Sequence, residues 1–295
     1  MDDTATAPPA WLMEELRQAR KGRGKDDIQK TSDLLACLDL STVCDGARCP
    51  NRGECYSHHT ATFLILGDVC TRGCAFCAVR SGHPKGLPDI GEPDRLAEAV
   101  SLLNLTHVVI TSVTRDDLPD GGAGHFAQVV QTIRSRCPGV KVELLIPDFL
   151  GSQASLLTVL EARPDILAHN VETIPRLYRT VRCGADYSRS LALLKRAKLQ
   201  QPGMTTKSGF MLGLGETADE ITVLLSDLAK VGCDMVTIGQ YLKPSLAHAP
   251  VVRYAVPDEY RMWRSAALTM GYKSVAAGPL VRSSYKAFQF FGEIA

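Results

Sequence analysis

Apolar residues along this chain fall into short, nearly continuous runs separated by longer stretches of helical period. The runs are "TATFLILG" (60–67), "HVVITSV" (His107–Val113), "VKVELLI" (Val140–Ile146), "DILAHNV" (Asp165–Val171), "KSGFMLGL" (Lys207–Leu214) and "MVTIGQYL" (Met235–Leu242). Their length and apolar, often β-branched content predict parallel strands buried on both faces. Between and after them, apolar positions recur every three or four residues over Asp94–Leu103, His125–Arg136, Ala154–Arg163, Ser188–Leu199, Ala218–Val231 and Pro257–Met270. The fifth of these has a capping box in Thr217 and Glu220 and a stop signal in Gly232. Two more helices are predicted near the start, around Trp11–Ala19 and Asp26–Leu40, joined by the basic stretch Lys21–Lys25.

Six strands alternating with six helices predict an α/β fold of parallel βα units. A closed barrel of this kind needs eight, so six predict a partial (β/α)6 TIM-like barrel, open on one side. The expected organisation is an N-terminal extension over 1–60, the barrel over 61–272 and a C-terminal extension over 273–295. Polar clusters follow the runs where a barrel carries its chemistry, at the C-terminal strand ends. These are "TSVTRDDLPDGG" (Thr111–Gly122), "HNVET" (His169–Thr173), "GLGET" (Gly213–Thr217) and "GQYLKPS" (Gly239–Ser245).

Composition narrows the function. Hydrophobic residues make up 45% and charged residues 22%, with a net charge of +1. Nothing in this balance favours nucleic acid as a partner. No apolar run approaches the length of a membrane span. The N-terminus is acidic where a targeting peptide would be basic. A cytoplasmic location is therefore expected, or an organelle matrix if a transit peptide has been removed. The absence of a strong exposed apolar stripe favours a monomer.

Six of the ten cysteines lie between Ser41 and Cys77, as two triplets. Cys44, Cys49 and Cys55 are spaced C-x4-C-x5-C, and Cys70, Cys74 and Cys77 are spaced C-x3-C-x2-C. Disulfides need pairs and a closed zinc site needs four ligands, so triplets suit neither. Three thiolates can grip three irons of a cubane cluster and leave the fourth free. The alternatives are a zinc knuckle with a distant fourth ligand, or a small electron carrier. A carrier has no need of the βα series downstream.

The second triplet, with Phe76 just before its last cysteine, resembles the signature of the radical S-adenosylmethionine enzymes. With both triplets in this order, the chain resembles the lipoyl synthases in particular. The resemblance extends through "TATFLILGDVCTRGCAFC", "VVITSVTRDDLPDGGAGHF", "HNVETIPRLYRTVRCGADY", "TKSGFMLGLGETADEI" and "GPLVRSSYKA". Biotin synthases and methylthiotransferases place auxiliary ligands elsewhere.

The resemblance implies an enzyme, a sulfurtransferase of lipoate biosynthesis, using two [4Fe-4S] clusters and S-adenosyl-L-methionine. Cys70, Cys74 and Cys77 would hold the cluster that cleaves S-adenosylmethionine to a 5′-deoxyadenosyl radical. Cys44, Cys49 and Cys55 would hold a sacrificial auxiliary cluster, closed by a serine of Arg282-Ser283-Ser284-Tyr285, with Ser284 favoured over Ser283. Two sulfur atoms would enter at C6 and C8 of an octanoyl-lysine on a lipoyl carrier domain. The expected carriers are the acyltransferase subunit of 2-oxoacid dehydrogenases and the glycine cleavage H protein, with ferredoxin or flavodoxin as electron donor. Phe76, Thr111, Asn170, Glu172 and Arg182 are the expected contacts to S-adenosylmethionine. The Gly-Gly-Glu stretch of the wider superfamily is replaced here by "TSVTRDD", so Thr111 and Ser112 would supply its polar groups. The glycines of "GLGET" are expected to let backbone approach the cofactor. Lys243 and Arg253 are either solvated charges or contacts to the carrier. Cys37, Cys137, Cys183 and Cys233 are expected to be structural.

Overall fold

A computed structural model of the chain describes residues 7–21 and 24–287. The acidic residues 1–6, residues 22–23 of the basic connector and residues 288–295 lie outside the described residues.

Seven strands form one sheet: β1 (Thr62–Ile65), β2 (His107–Ser112), β3 (Lys141–Leu145), β4 (Ile166–Ala168), β5 (Thr205–Leu212), β6 (Met235–Gln240) and β7 (Ser274–Ala277). They are ordered in space as in sequence, and every neighbouring pair is parallel. This is the winding of a partial TIM-like barrel. The six βα units expected from the sequence are present and a seventh strand follows them. Residues 274–277 therefore pair with β6 and belong to the sheet, although they fall within the segment expected as an extension. The register places Thr111 of β2 beside Leu64 of β1 and Leu145 of β3.

Among the described residues four helices precede the sheet: α1 (Ala10–Lys21), α2 (Lys25–Cys37), α3 (Val43–Gly46) and α4 (Arg52–Ser57). Gly53 lets α1 come against α4, because a Cβ there would lie 2.2 Å from the Arg20 carbonyl oxygen. The extension also covers the free edge of β1. Thr42 bridges Phe63 antiparallel, and Leu64 donates its N–H to the Ser41 carbonyl. An open edge would otherwise offer unpaired backbone groups to another chain.

The outer layer comprises α5 (Glu92–Leu102), α6 (Ala123–Arg136), α7 (Gln153–Glu161), the short α8 (Tyr178–Val181), α9 (Tyr187–Gln200), α10 (Ala218–Lys230) and α11 (Pro257–Thr269). Its apolar stripes, including Leu96, Phe126, Leu156, Leu194, Leu224 and Trp263, bury against Ile110, Leu144, Leu167, Leu212 and Ile238 of the strands. Each large side chain buried in this way contributes about 1.5–3 kcal/mol. The capping box of Thr217 and Glu220 opens α10 as the sequence indicates.

Charge is also buried in this interior. Lys207 of β5 and Glu143 of β3 form a salt bridge of 2.8 Å with 1% and 0% of their side chains exposed. His107 Nε2 of β2 lies 3.4 Å from the other Glu143 oxygen.

β4 is shorter than the run that predicted it, which continues to Val171. Its regular pairing stops after Ala168, and the Val171 N–H is taken by the Ser208 hydroxyl at 3.3 Å. Pairing resumes in one bridge between Glu172 and Phe210. Glu172 has φ 64°, in the left-handed region that side-chain-bearing residues adopt rarely.

Candidate active site

Both triplets line one chamber of about 1680 Å³, together with Phe76, Thr111, Ser112, Asn170, Glu172, Arg182, Arg282, Ser283 and Ser284. The chamber thus gathers both triplets, the serine pair and Phe76, Thr111, Asn170, Glu172 and Arg182, but not the glycines of "GLGET". Among the described residues, no three His, Cys, Asp or Glu side chains close around a single metal-ion position. The six thiols line the chamber wall.

The second triplet sits in a loop after β1. Val69–Cys70 pairs with Arg80–Ser81 at the base of this loop, and Cys77 N–H closes a turn onto the Cys74 carbonyl. Cys70 Sγ accepts backbone N–H groups from Arg72 at 3.4 Å and Thr114 at 3.3 Å. Two neighbouring segments fasten the turn. Ala75 donates to the Val181 carbonyl, while Ala249 donates to the Ala75 carbonyl and His248 Nε2 to the Cys77 carbonyl. Arg72 anchors the loop from below. It pairs with Asp116 at 2.7 and 3.0 Å and with Asp148 at 2.6 Å, and Asp148 also takes Arg189. Sequence reading passed over Arg72; its position between two cysteines of the triplet was the available signal.

Burial pushes the Cys74 thiol up to about 12, against the pull of Arg182, and Cys77 up to about 11. In the first triplet, burial pushes Cys44 up to about 12 and Cys55 also upward, and the neighbouring thiols add to both shifts. Desolvation disfavours a bare thiolate, whereas a bound cation favours it. Cys44 is buried and the other five thiols are half-buried, and the raised thiols Cys44, Cys55, Cys74 and Cys77 are suited to metal rather than to free nucleophiles. α3 carries Cys44 and α4 carries Cys55. Between them Asp45 accepts from Tyr56 at 2.6 Å and Thr42 at 2.8 Å, and its other oxygen pairs with Arg52 at 2.5 Å. The Arg52 guanidinium lies over the Tyr56 ring at 4.6 Å. Ser284 reaches the same wall, where its Oγ accepts from the Thr62 hydroxyl at 2.7 Å.

Polar groups without protein partners face the chamber. Ser112 Oγ and Asn170 Oδ1 are buried and have no hydrogen-bond partner among the described residues. Burial pushes the Glu172 carboxyl upward, with Arg182, the Asn170 amide and Arg282 pulling the other way. Such orphaned groups fit a polar ligand bearing both an amine and a carboxylate.

Comparison with known proteins shows the family. Residues 64–239 match the Radical SAM superfamily. The chain is 53% identical over 279 residues to the lipoyl synthase of Caldanaerobacter subterraneus subsp. tengcongensis, covering 95% of each protein. It belongs to the lipoyl synthase family. The lipoyl synthase of Geobacter metallireducens is 50% identical over 291 residues, 99% of this chain and 100% of that protein. Among solved structures, the [FeFe]-hydrogenase maturase HydG aligns with TM-score 0.58 at 14% identity, over 97% of this chain and 70% of that one. Methylornithine synthase aligns with TM-score 0.52 at 17% identity, over 92% and 83%. These two likenesses concern the fold. Membership of the radical family implies one [4Fe-4S] cluster and S-adenosylmethionine. No helix among the described residues is long and apolar enough to cross a membrane.

Against the lipoyl synthase pattern, several polar residues have structural partners. His169 is an interior histidine: Nδ1 is 2.8 Å from the Ile146 carbonyl, Nε2 is 3.0 Å from Ser190 Oγ, and burial lowers it to about 3. Arg253 pairs with Glu259 at 2.7 Å and Glu216 at 3.2 Å, which leaves it engaged within the fold, while Lys243 lines the chamber. The glycines of "GLGET" were expected to approach the cofactor. Gly213 instead admits its own neighbours, since a Cβ there would meet Gln240 Nε2 at 2.2 Å and the Arg253 carbonyl at 2.6 Å. Thr111 donates to the Leu145 carbonyl at 2.9 Å, so Ser112 is the freer hydroxyl of the pair. Arg182 Nη1 lies 2.9 Å from Tyr178 Oη and 3.2 Å from Ser190 Oγ. Cys137 and Cys233 are buried, with their thiols on the Ala97 and Met235 carbonyls at 3.3 and 3.2 Å. Cys37 and Cys183 are exposed.

Proposed function

We propose that this chain inserts two sulfur atoms at C6 and C8 of an octanoyl-lysine carried by a lipoyl domain, with a cluster on each triplet. The observation that supports this reading is the joint lining of one chamber by both triplets and the distant serine pair. In this reading Cys70, Cys74 and Cys77 hold the cluster that works with S-adenosylmethionine. Cys44, Cys49, Cys55 and Ser284 hold the auxiliary cluster. When bound, these groups supply a 5′-deoxyadenosyl radical for C–H cleavage and the sulfur that is transferred.

The protein's own part is binding, orientation and exclusion of water. Glu172, Asn170 and Ser112 would take the amine and carboxylate of S-adenosylmethionine, Arg182 would add positive charge beside them, and Phe76 would lie toward the adenine. Val109, Leu145, Phe210, Met211 and Leu242 give the chamber an apolar wall for the octanoyl chain. An oxygen donor such as Ser284 is a hard partner for iron that otherwise prefers soft sulfur, so it is the corner most readily released.

The acyl carriers are the acyltransferase subunit of 2-oxoacid dehydrogenases and the glycine cleavage H protein. Electrons come from a ferredoxin or flavodoxin, and the protein works as a cytoplasmic monomer.

Anaerobic purification followed by iron and sulfide analysis tests the two clusters, with about eight irons per chain expected. Single turnover with an octanoyl-lysyl peptide and S-adenosylmethionine tests the chemistry. Four irons would refute the auxiliary cluster, and deoxyadenosine without any thiolated peptide would refute sulfur insertion.

A further inference from the structure

Glu54 and Tyr285, which flank the first triplet and Ser284, are 231 residues apart in sequence, and contacts between them join the two segments. Glu54 lies one residue before Cys55, while Tyr285 and Lys286 directly follow Ser284. Tyr285 Oη donates to one Glu54 carboxylate oxygen at 2.7 Å, and Lys286 Nζ lies 3.1 Å from the other. The Lys286 ammonium also stands 4.9 Å from the Tyr285 ring centre. Just upstream, Asn51 Nδ2 donates to the Leu280 carbonyl at 2.7 Å. Nothing in the cysteine pattern requires these contacts. They lie at the two points where the cysteine segment and the serine segment meet.

We propose that Glu54 and Tyr285 form a clasp that holds Ser284 against the cysteine triplet, so that Glu54 is a positioning residue for the serine corner of the auxiliary cluster. The inference rests on the ligand assignment made above for Cys44, Cys49, Cys55 and Ser284. A single oxygen donor among sulfur ligands is weakly held by itself. Tethering it one residue from a closed hydrogen bond raises its effective concentration at the iron without strengthening the bond. The donor can then leave and return while the segment stays docked, as a cluster that surrenders sulfur requires. Tyr285 carries more of the hold than Lys286, whose side chain is 41% exposed and whose ion pair is screened.

The test uses anaerobically reconstituted, iron-57-labelled holoenzyme in five forms: wild type, Tyr285→Phe, Glu54→Ala, Lys286→Met and Ser284→Ala. Chelator-driven iron release is followed by Mössbauer spectroscopy, which distinguishes an oxygen-ligated iron from sulfur-ligated iron. Y285F and E54A should release auxiliary iron about ten-fold faster than wild type and show less of the oxygen-ligated signature, as expected for a lost hydrogen bond to a charged group. K286M should change the rate less than about two-fold. Release from the Cys70, Cys74 and Cys77 cluster should not change in any variant, which reports that the barrel is folded. Y285F and E54A behaving as wild type, while S284A alters the signature, would overturn the clasp alone. An S284A protein with the wild-type signature would overturn the ligand assignment and the clasp with it.

Discussion

Replacing Lys207 by methionine isolates the buried Glu143 carboxylate. In the native protein Lys207 Nζ is 2.8 Å from Glu143, with 1% and 0% of the two side chains exposed. Methionine keeps the length of the stem and removes the charge. Breaking a buried pair from one side costs about 3–5 kcal/mol, against a total stability of roughly 5–15 kcal/mol. The melting temperature should therefore fall by on the order of 10 °C. The loss should depend on pH. Burial tends to raise Glu143, yet Lys207 and His107 hold it below its ordinary 4.5. A carboxyl lowered in the folded state contributes stability that is present above its unfolded value and lost as pH falls through the folded one. Without Lys207, burial raises the carboxyl above its unfolded value instead. The penalty should then be full at pH 8 and smaller at pH 5, where protonation neutralises the group. The double variant Lys207→Met with Glu143→Leu should recover most of the stability, because an apolar pair replaces an ionic one. Thermal and urea unfolding followed by circular dichroism at both pH values provides the measurement. A loss below about 1 kcal/mol for K207M, or a double variant no more stable than the single one, would show that the pair is not isolated from water as described.

Two further outcomes follow from the chamber. A Cβ at residue 239 would stand 2.2 Å from the Val281 carbonyl oxygen, so Gly239→Ala should push the serine segment away from the triplet. Iron content should drop from about eight toward about four per chain, with the Cys70, Cys74 and Cys77 cluster retained; full iron content would count against the serine corner. Glu172→Gln keeps the shape and removes the charge, so equilibrium binding of S-adenosylmethionine should weaken about ten-fold, and unchanged affinity would remove Glu172 from the cofactor contacts.

The strands were legible because burial on both faces leaves apolar runs in the sequence. β7 was not, because its four residues, "SVAA", are too short and small to stand out from the loop around them. The Glu143–Lys207 pair was hidden for the opposite reason. Each charge sits in a strand read as apolar, and only the barrel's curvature brings positions 64 residues apart into contact. The cysteine triplets were legible from spacing alone, since each is local. The Arg72–Asp148–Arg189 anchor and the Glu54–Tyr285 contact were not, since each joins segments far apart in sequence that only the tertiary fold brings together. Glu172 could be named as a polar strand end, but its left-handed backbone and the Ser208 hydroxyl that takes the preceding Val171 N–H leave no mark in the local sequence.

The separation between Glu54 and Tyr285 also sets an order in time. At roughly 5–20 residues per second, a ribosome takes between about ten and fifty seconds to pass from one to the other. If Ser284 is the fourth ligand, as proposed above, the first triplet lacks it throughout that interval. The second triplet is synthesised soon after the first, although the turn that carries it is fastened by the later residues Val181, His248 and Ala249. On the proposed ligand assignment, then, the thiols of the second triplet are all present early on the growing chain, whereas the auxiliary site would be completed only after the barrel that separates its halves has been translated.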